Sequence, residues 1–134
     1  MRTRLRVGIA QRVPKIDPYG SMDYGAGVVC GQIFQPPYTW LRGSDKLAPV
    51  LFEGPLRSTP GRAGHYVGKL RDDIVFSDGT PLTAADLENS LAAHWARDQK
   101  ATVQARGDTI TFTLEQHRNE LENTLCSSWC AVAR

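Results

Sequence analysis

The sequence predicts an α+β fold, a mixed sheet with flanking helices, and two local patterns carry that prediction. Residues 102–114 alternate apolar and polar side chains on either side of Gly107-Asp108, a dipeptide that suits a tight hairpin turn. Ahead of this hairpin, Thr83 and Asp86 have the spacing of a capping box, which opens a helix. The chain has 134 residues, 41% of them hydrophobic, so it can bury a core and is expected to form one domain spanning residues 1–134.

The remaining elements are predicted from periodicity and from turn-forming residues. Strands are expected where short apolar runs lie between turns, at residues 5–10, 38–41, 47–51, 65–70 and 74–76. Helices are expected where apolar residues recur at intervals of three and four, at residues 26–33, 83–98 and 121–132. Leu82 and Leu87 are placed as the hydrophobic staple of the second helix. Residues 54–64, rich in Gly, Pro, Ser and Arg, predict a surface loop.

Composition excludes several classes of function. The formal net charge of +2 gives no strong field for nucleic acid, and no run of about 20 apolar residues is present to insert in a membrane. The apolar run of about 7–15 residues that an export signal needs is also missing, so a cytoplasmic location is expected unless a leader was removed. Basic residues cluster early in the chain, which indicates a solvated strand or, alternatively, a phosphate or carboxylate contact: Arg2, Arg4, Arg6, Arg12 and Lys15.

The residues that usually perform chemistry form no recognisable set. Three cysteines, an odd number, argue against a closed disulfide framework and fit a reducing compartment. Cys126 and Cys130 lie four residues apart, but no Cys/His pair elsewhere completes a metal site, so they are expected to be buried apolar residues. There is no nucleophile elbow and no glycine loop with nucleotide-binding spacing. Neither a metal nor a cofactor is therefore expected, and no catalytic residue is identified.

Residues 70–87, LRDDIVFSDGTPLTAADL, resemble a signature of bacterial extracellular solute-binding proteins of the peptide/nickel-binding type (family 5). Weaker matches flank it in the family's order, at residues 16–18, 33–37 and 111–114. Gln35 and Pro37 depart from the family's Glu and Leu, and the segment before the hairpin is short. The resemblance implies part of one lobe of a type II periplasmic binding protein, truncated after its N-terminal portion.

In that family the loop after the first strand and the start of the next helix line the ligand cleft. Carried over by position, the resemblance implies a pocket with aromatic and Met walls, in which Asp23 or Gln35 orients a polar group. The predicted ligand-binding residues are Tyr19, Met22, Asp23, Tyr24, Gln35, Trp40 and Trp95.

Two functions follow from the resemblance and from the lack of catalytic motifs. The first is a non-catalytic module that binds a peptide-like ligand or a small metabolite. The alternative is a small cytoplasmic biosynthetic enzyme, of cyclisation or rearrangement type, that reuses the cleft without a cofactor. A third possibility is a gene fragment with no function of its own. Because one lobe leaves a cleft open, a homodimer is expected to supply the opposing wall.

Overall fold

The computed structural model describes residues 4–13, 15–20, 24–96, 100–115 and 121–133, without the side chains of residues 94 and 128. The α-helices are α1 (Tyr24–Ile33), α2 (Ala84–Leu91) and α3 (Leu121–Thr124). A π-helical turn, Ala92–Ala96, continues α2, and a 3-10 turn spans Ser128–Cys130. The strands are β1 Tyr38–Trp40, β2 Leu47–Pro49, β3 Arg57–Ser58, β4 His65–Lys69, β5 Ala101–Arg106 and β6 Thr109–Leu114. None of the described helices has the length and apolar character needed to cross a membrane.

The main sheet contains four strands in the order β3-β4-β6-β5, and β1 and β2 form a separate two-stranded sheet. Every pairing between described strands is antiparallel, although the sequence predicted a mixed sheet. The register places Phe112 of β6 between Tyr66 of β4 and Val103 of β5, on the face that α2 covers. The α+β class is therefore confirmed, with helix packed on one face of an antiparallel sheet.

The core lies between α2 and the sheet, and aromatic rings occupy its centre. Phe112 is fully buried and meets Phe52 and Trp95 edge-on, with ring centroids 6.3 and 5.9 Å apart. From α2, Leu87 and Leu91 are fully buried against this cluster. Offset and edge-on ring pairs add about 0.5–1.5 kcal/mol each to the burial of their area.

The start of α2 has the capping chemistry that the sequence predicted. The Thr83 hydroxyl accepts a hydrogen bond from the Asp86 amide at 3.2 Å, and the Asp86 carboxylate accepts one from the Thr83 amide at 2.9 Å. Leu82 and Leu87 are both buried, as a hydrophobic staple requires. The expected continuation to residue 98 is described as far as Ala96, and residues 97–98 lie outside the described part.

Four predicted elements differ in the structure. Residues 5–10 are exposed and form no strand, because no neighbouring strand of the described chain reaches them. Residues 74–76 contribute a single bridge, Val75 to Pro81, since the turn that follows reverses the chain at once. The predicted helix 121–132 is shortened to α3 and the 3-10 turn. The predicted loop 54–64 contains the short strand β3.

Candidate functional site

Two of the predicted ligand-binding residues converge on one segment, residues 131–133. The Tyr19 hydroxyl donates a hydrogen bond of 2.7 Å to the carbonyl of Ala131. The amide of Val132 donates to the carbonyl of Gln35 at 3.4 Å. Tyr19 and Gln35 are 16 residues apart in the chain, and both are bonded to this segment.

The Tyr19 side chain is positioned by a short turn built around Asp17. The Asp17 carboxylate accepts a hydrogen bond from the Tyr19 amide at 2.9 Å and another from the Lys15 ammonium at 2.7 Å. The Lys15 contact, followed by the Tyr19 amide, lowers the pKa of Asp17 below its ordinary value. Pro18 between them is buried and fixes its own φ, so the turn aims the tyrosine ring at residues 131–133.

Gln35 follows the end of α1, and the two prolines after it explain why the helix ends there. The amide of Phe34 still bonds to the Cys30 carbonyl at 2.8 Å, but Pro36 and Pro37 follow and cannot continue the helical hydrogen bonds. The chain therefore turns away at Gln35, and this residue is exposed at the rim of the helix end.

A groove of about 400 Å³ opens between the end of α1, the turn after residue 74 and the segment 131–133. We call it the Gln35 groove. Ile33 and Val75 form its outer apolar edges, with exposed fractions of 57% and 58%, and half-buried Phe34, Phe76 and Val132 form its walls. The described residues that line it are Ile33, Phe34, Gln35, Val75, Phe76, Ser77, Asp78, Val132 and Ala133.

The far wall of the groove is the turn at residues 76–80, which belongs to the signature at residues 70–87. The Phe76 amide donates to the Thr80 carbonyl at 2.8 Å, and Gly79 adopts a positive φ of 86° that favours glycine. The Asp78 carboxylate accepts from both the amide and the hydroxyl of Thr80, at 2.9 and 2.7 Å. Asp78 therefore holds the turn, while Gln35 and Ser77 are exposed polar residues in the lining of the groove.

This arrangement suits recognition of a partly apolar ligand. Aliphatic and aromatic walls supply area for an apolar side chain, and a side-chain amide can both donate to and accept from a peptide bond. The volume falls at the lower end of the range of about 300–1,000 Å³ for small-ligand pockets. Among the described residues, no group of three or more His, Cys, Asp or Glu side chains could hold a metal ion.

The other predicted site residues lie elsewhere. Tyr24 begins α1 with 76% of its surface exposed, and Trp40 is half exposed at the end of β1. Trp95 is buried in the core against Phe112, and its indole N–H has no hydrogen-bond partner within the part of the chain that the structure describes. Neither these three nor Tyr19 line the Gln35 groove. Met22 and Asp23 lie outside the described residues.

Sequence reasoning named Gln35 but missed the opposite wall of the groove. Val75, Phe76 and Ser77 belong to the signature, which the sequence presents as a device for turning the chain into α2. The same turn also places an exposed valine beside a half-buried phenylalanine. The sequence signal for this wall is Val75 itself, because it is an apolar residue beside a turn. The structure leaves more than half of its surface exposed.

Solved structures share this fold. Listeria monocytogenes OppA, solved bound to peptide, superposes with a TM-score of 0.78 at 18% identity, over 92% of this chain and 29% of OppA. A nickel ABC transporter protein from Bacillus halodurans gives 0.70 at 23% identity, over 87% and 25% of the two chains. DppA from Helicobacter pylori, a periplasmic binding protein in complex with the peptide STSA, gives 0.73 at 16%, over 89% and 28%.

The fold is that of part of a solute-binding protein. The match to part of a periplasmic binding protein lobe confirms the fold expected from residues 70–87. The chain spans between about a quarter and three tenths of the length of these three solute-binding proteins. No protein-family model matches the sequence. No curated protein matches it either.

Proposed function

We propose that the chain is a non-catalytic ligand-binding module and that the Gln35 groove takes a peptide-like ligand or a small metabolite. The observation that carries this proposal is the groove itself, which apolar residues and the exposed Gln35 line on a solute-binding fold. OppA and DppA were solved with bound peptides, which supports a peptide-like ligand class. No observation on the described residues favours the enzyme alternative.

A ligand would bind with one apolar side chain between Ile33 and Val75. Both edges are more than half exposed, so a side chain seated there removes apolar surface of the protein as well as its own from water. The Gln35 amide would pair with the backbone of the ligand and so orient the ligand along the groove.

Titration of the labelled protein with short peptides that carry one Leu, Phe or Ala side chain tests this proposal. Amide chemical shifts of residues 33–35, 75–77 and 132–133 are expected to move together, and affinity is expected to rise from Ala to Leu or Phe. Val75→Asp is expected to weaken binding about tenfold or more, because a carboxylate replaces an apolar edge.

Leu41→Asp is the matched control, since Leu41 is also an exposed apolar residue but lies outside the groove. It is expected to bind peptides as the unchanged protein does. Absence of binding by every peptide at millimolar concentration, or equal affinity of the Val75 and Leu41 variants, would contradict the proposal.

The proposed module acts in the cytoplasm as a homodimer in which a second copy provides the wall opposite the groove. Exposed apolar side chains on α1, at Tyr24, Val28 and Ile33, support this arrangement because they are apolar surface that a second copy would cover. Sedimentation equilibrium with and without peptide measures the mass directly, and a monomer at all concentrations would contradict the dimer.

A further inference from the structure

A second cavity, of about 430 Å³, lies at the open end of the β5–β6 hairpin, where β5 begins and β6 ends. Ala96, Ala101 and Leu114 give it an apolar surface, and all three are buried or half-buried. The rest of its described lining consists of exposed polar residues, two from each side of the hairpin: Lys100, Thr102, Thr113 and Glu115. None of the described residues that line this cavity also lines the Gln35 groove.

Lys100 and Glu115 place opposite charges on the two facing ends of the hairpin. The Glu115 amide donates a hydrogen bond of 3.3 Å to the Lys100 carbonyl, so the pairing of the two strands continues one step beyond them. Opposite charges that face each other across an antiparallel pair ordinarily attract and stabilise it. Here neither side chain forms an ion pair with any residue that the structure describes. The cavity therefore has one unmatched ammonium and one unmatched carboxylate in its lining.

The backbone of Lys100 is unusual. Its φ is 48°, and within the described ranges it is the one residue other than glycine with a positive φ. This region is unfavourable for a residue with a Cβ, whereas glycine adopts it without that penalty. Backbone strain of this kind is found most often where a side chain serves a ligand. The fold alone would be better served by glycine, so the strain favours a role for the lysine side chain.

Two hydroxyl groups lie beside these charges. Thr102 and Thr113 are direct partners in the register of β5 and β6, so their side chains share one face of the sheet. Both residues are exposed, and neither hydroxyl is hydrogen-bonded to another described group. A hydroxyl can donate to a carboxylate or accept from an ammonium. The two threonines can therefore assist either charge of a bound molecule.

A ligand that carries both charges fits this lining better than one that carries a single charge. Its carboxylate would pair with the Lys100 ammonium and its ammonium with the Glu115 carboxylate, whereas a simple anion or cation would meet one unlike and one like charge. The apolar surface at Ala96 and Leu114 suits a short aliphatic side chain. The volume lies within the range of about 300–1,000 Å³ for small-ligand pockets.

We propose that this cavity binds an α-amino acid in its zwitterionic form, with the carboxylate on Lys100, the ammonium on Glu115 and the hydroxyls of Thr102 and Thr113 as further partners. The site is independent of the Gln35 groove, because the two have no described lining residue in common. Occupation of each site can therefore be measured without the other.

The probes are alanine, alaninamide, which lacks the carboxylate, and N-acetylalanine, which lacks the ammonium. Titration of the labelled protein at neutral pH should move the amide chemical shifts of residues 100–102 and 113–115. Alanine is expected to bind about fivefold more tightly than either derivative, because each derivative loses one exposed charge contact. The preference should shrink at about 1 M salt, where charges are screened over about 3 Å.

Two variants separate the charges. Lys100→Gly removes the ammonium and also the strain at φ 48°, so it should be at least as stable as the unchanged protein but bind alanine and alaninamide equally. Glu115→Gln should bind alanine and N-acetylalanine equally. Lys46→Gln and Asp45→Asn make the same changes in net charge at exposed residues outside the described lining and should leave the preference as it was.

The proposal is overturned if alanine binds no more tightly than both derivatives or if Lys100→Gly retains the full preference for alanine. Shifts that appear only at residues 33–35 and 75–77 would assign the amino acid to the Gln35 groove and would equally overturn it. Absence of any shift at residues 100–102 and 113–115 with millimolar alanine would do the same.

Discussion

Replacement of Tyr38 by Phe tests how α3 is joined to the rest of the domain. Tyr38 is 1% exposed, and its hydroxyl donates a hydrogen bond of 2.9 Å to the Glu122 carboxylate of α3. The same hydroxyl accepts one of 2.8 Å from the Leu56 amide, which also reaches Glu122 at 3.2 Å. Three segments far apart in sequence therefore share one hydroxyl and one carboxylate.

The size of the effect follows from what each change leaves behind. Tyr38→Phe removes a hydrogen bond to a charged group, worth about 1.5–3 kcal/mol. The Leu56 amide retains Glu122 as its acceptor, so no buried donor is left unpaired and the loss should be near the lower end, about 2 kcal/mol. Glu122→Ala leaves that amide bonded to the tyrosine, and because the two side chains touch, the double change should be non-additive by about 1–2 kcal/mol.

Urea denaturation followed by tryptophan fluorescence measures these free energies of unfolding, since the chain contains three tryptophans. Tyr24→Phe is the matched control because Tyr24 is 76% exposed, and it is expected to change stability by less than about 0.5 kcal/mol. The reasoning is refuted if Tyr38→Phe is no more destabilising than this control, or if the Tyr38 and Glu122 changes simply add.

Burial raises the pKa of the Cys130 thiol to about 12, so its stabilising effect is complete below the unfolded value of 9.0 and is lost as pH rises toward 12. Urea denaturation at about pH 8 and about pH 10 should show a loss that Cys130→Ala reduces, and this thiol should contribute about 1.4 kcal/mol of it in total, because its loss begins only near pH 9. Thr83→Ala should cost about 1 kcal/mol, because the Asp86 amide loses its cap, and thermal denaturation compares it with Thr83→Ser, which keeps the hydroxyl. An equal loss of stability in Thr83→Ala and Thr83→Ser would contradict the role of the hydroxyl as the helix cap. Gly68→Ala should cost about 1–3 kcal/mol, since its Cβ would lie 2.9 Å from Phe52, whereas Gly54→Ala meets nothing within 4 Å and serves as control.

The elements that sequence predicted best are those whose determinants are local. The capping box at Thr83 and the turn at Gly107-Asp108 each specify a few hydrogen bonds within a few residues, and both are present in the structure. The α+β class followed from the order of such elements, and the solute-binding fold was implied by the resemblance of residues 70–87 to a family signature.

Predictions failed where a residue's role depends on what lies beside it in space. The alternation at residues 5–10 specifies a strand only if a partner strand exists, and the described chain provides none. Likewise, an aromatic residue such as Trp95 has the same sequence signature in a core as in a pocket wall. Only its packing against Phe112 shows that it belongs to the core.

The hydrogen bond between Tyr19 and Ala131 joins residues 112 apart in sequence, which has a consequence for the order of folding. Closing a flexible loop of that length costs about 4 kcal/mol of chain entropy, whereas the β5–β6 hairpin closes over two residues. The hairpin and α2 are therefore expected to form early, and residues 131–133 to dock late. One wall of the Gln35 groove is the last part of the molecule to be assembled, so partly folded chains should retain the sheet but have no site for a ligand.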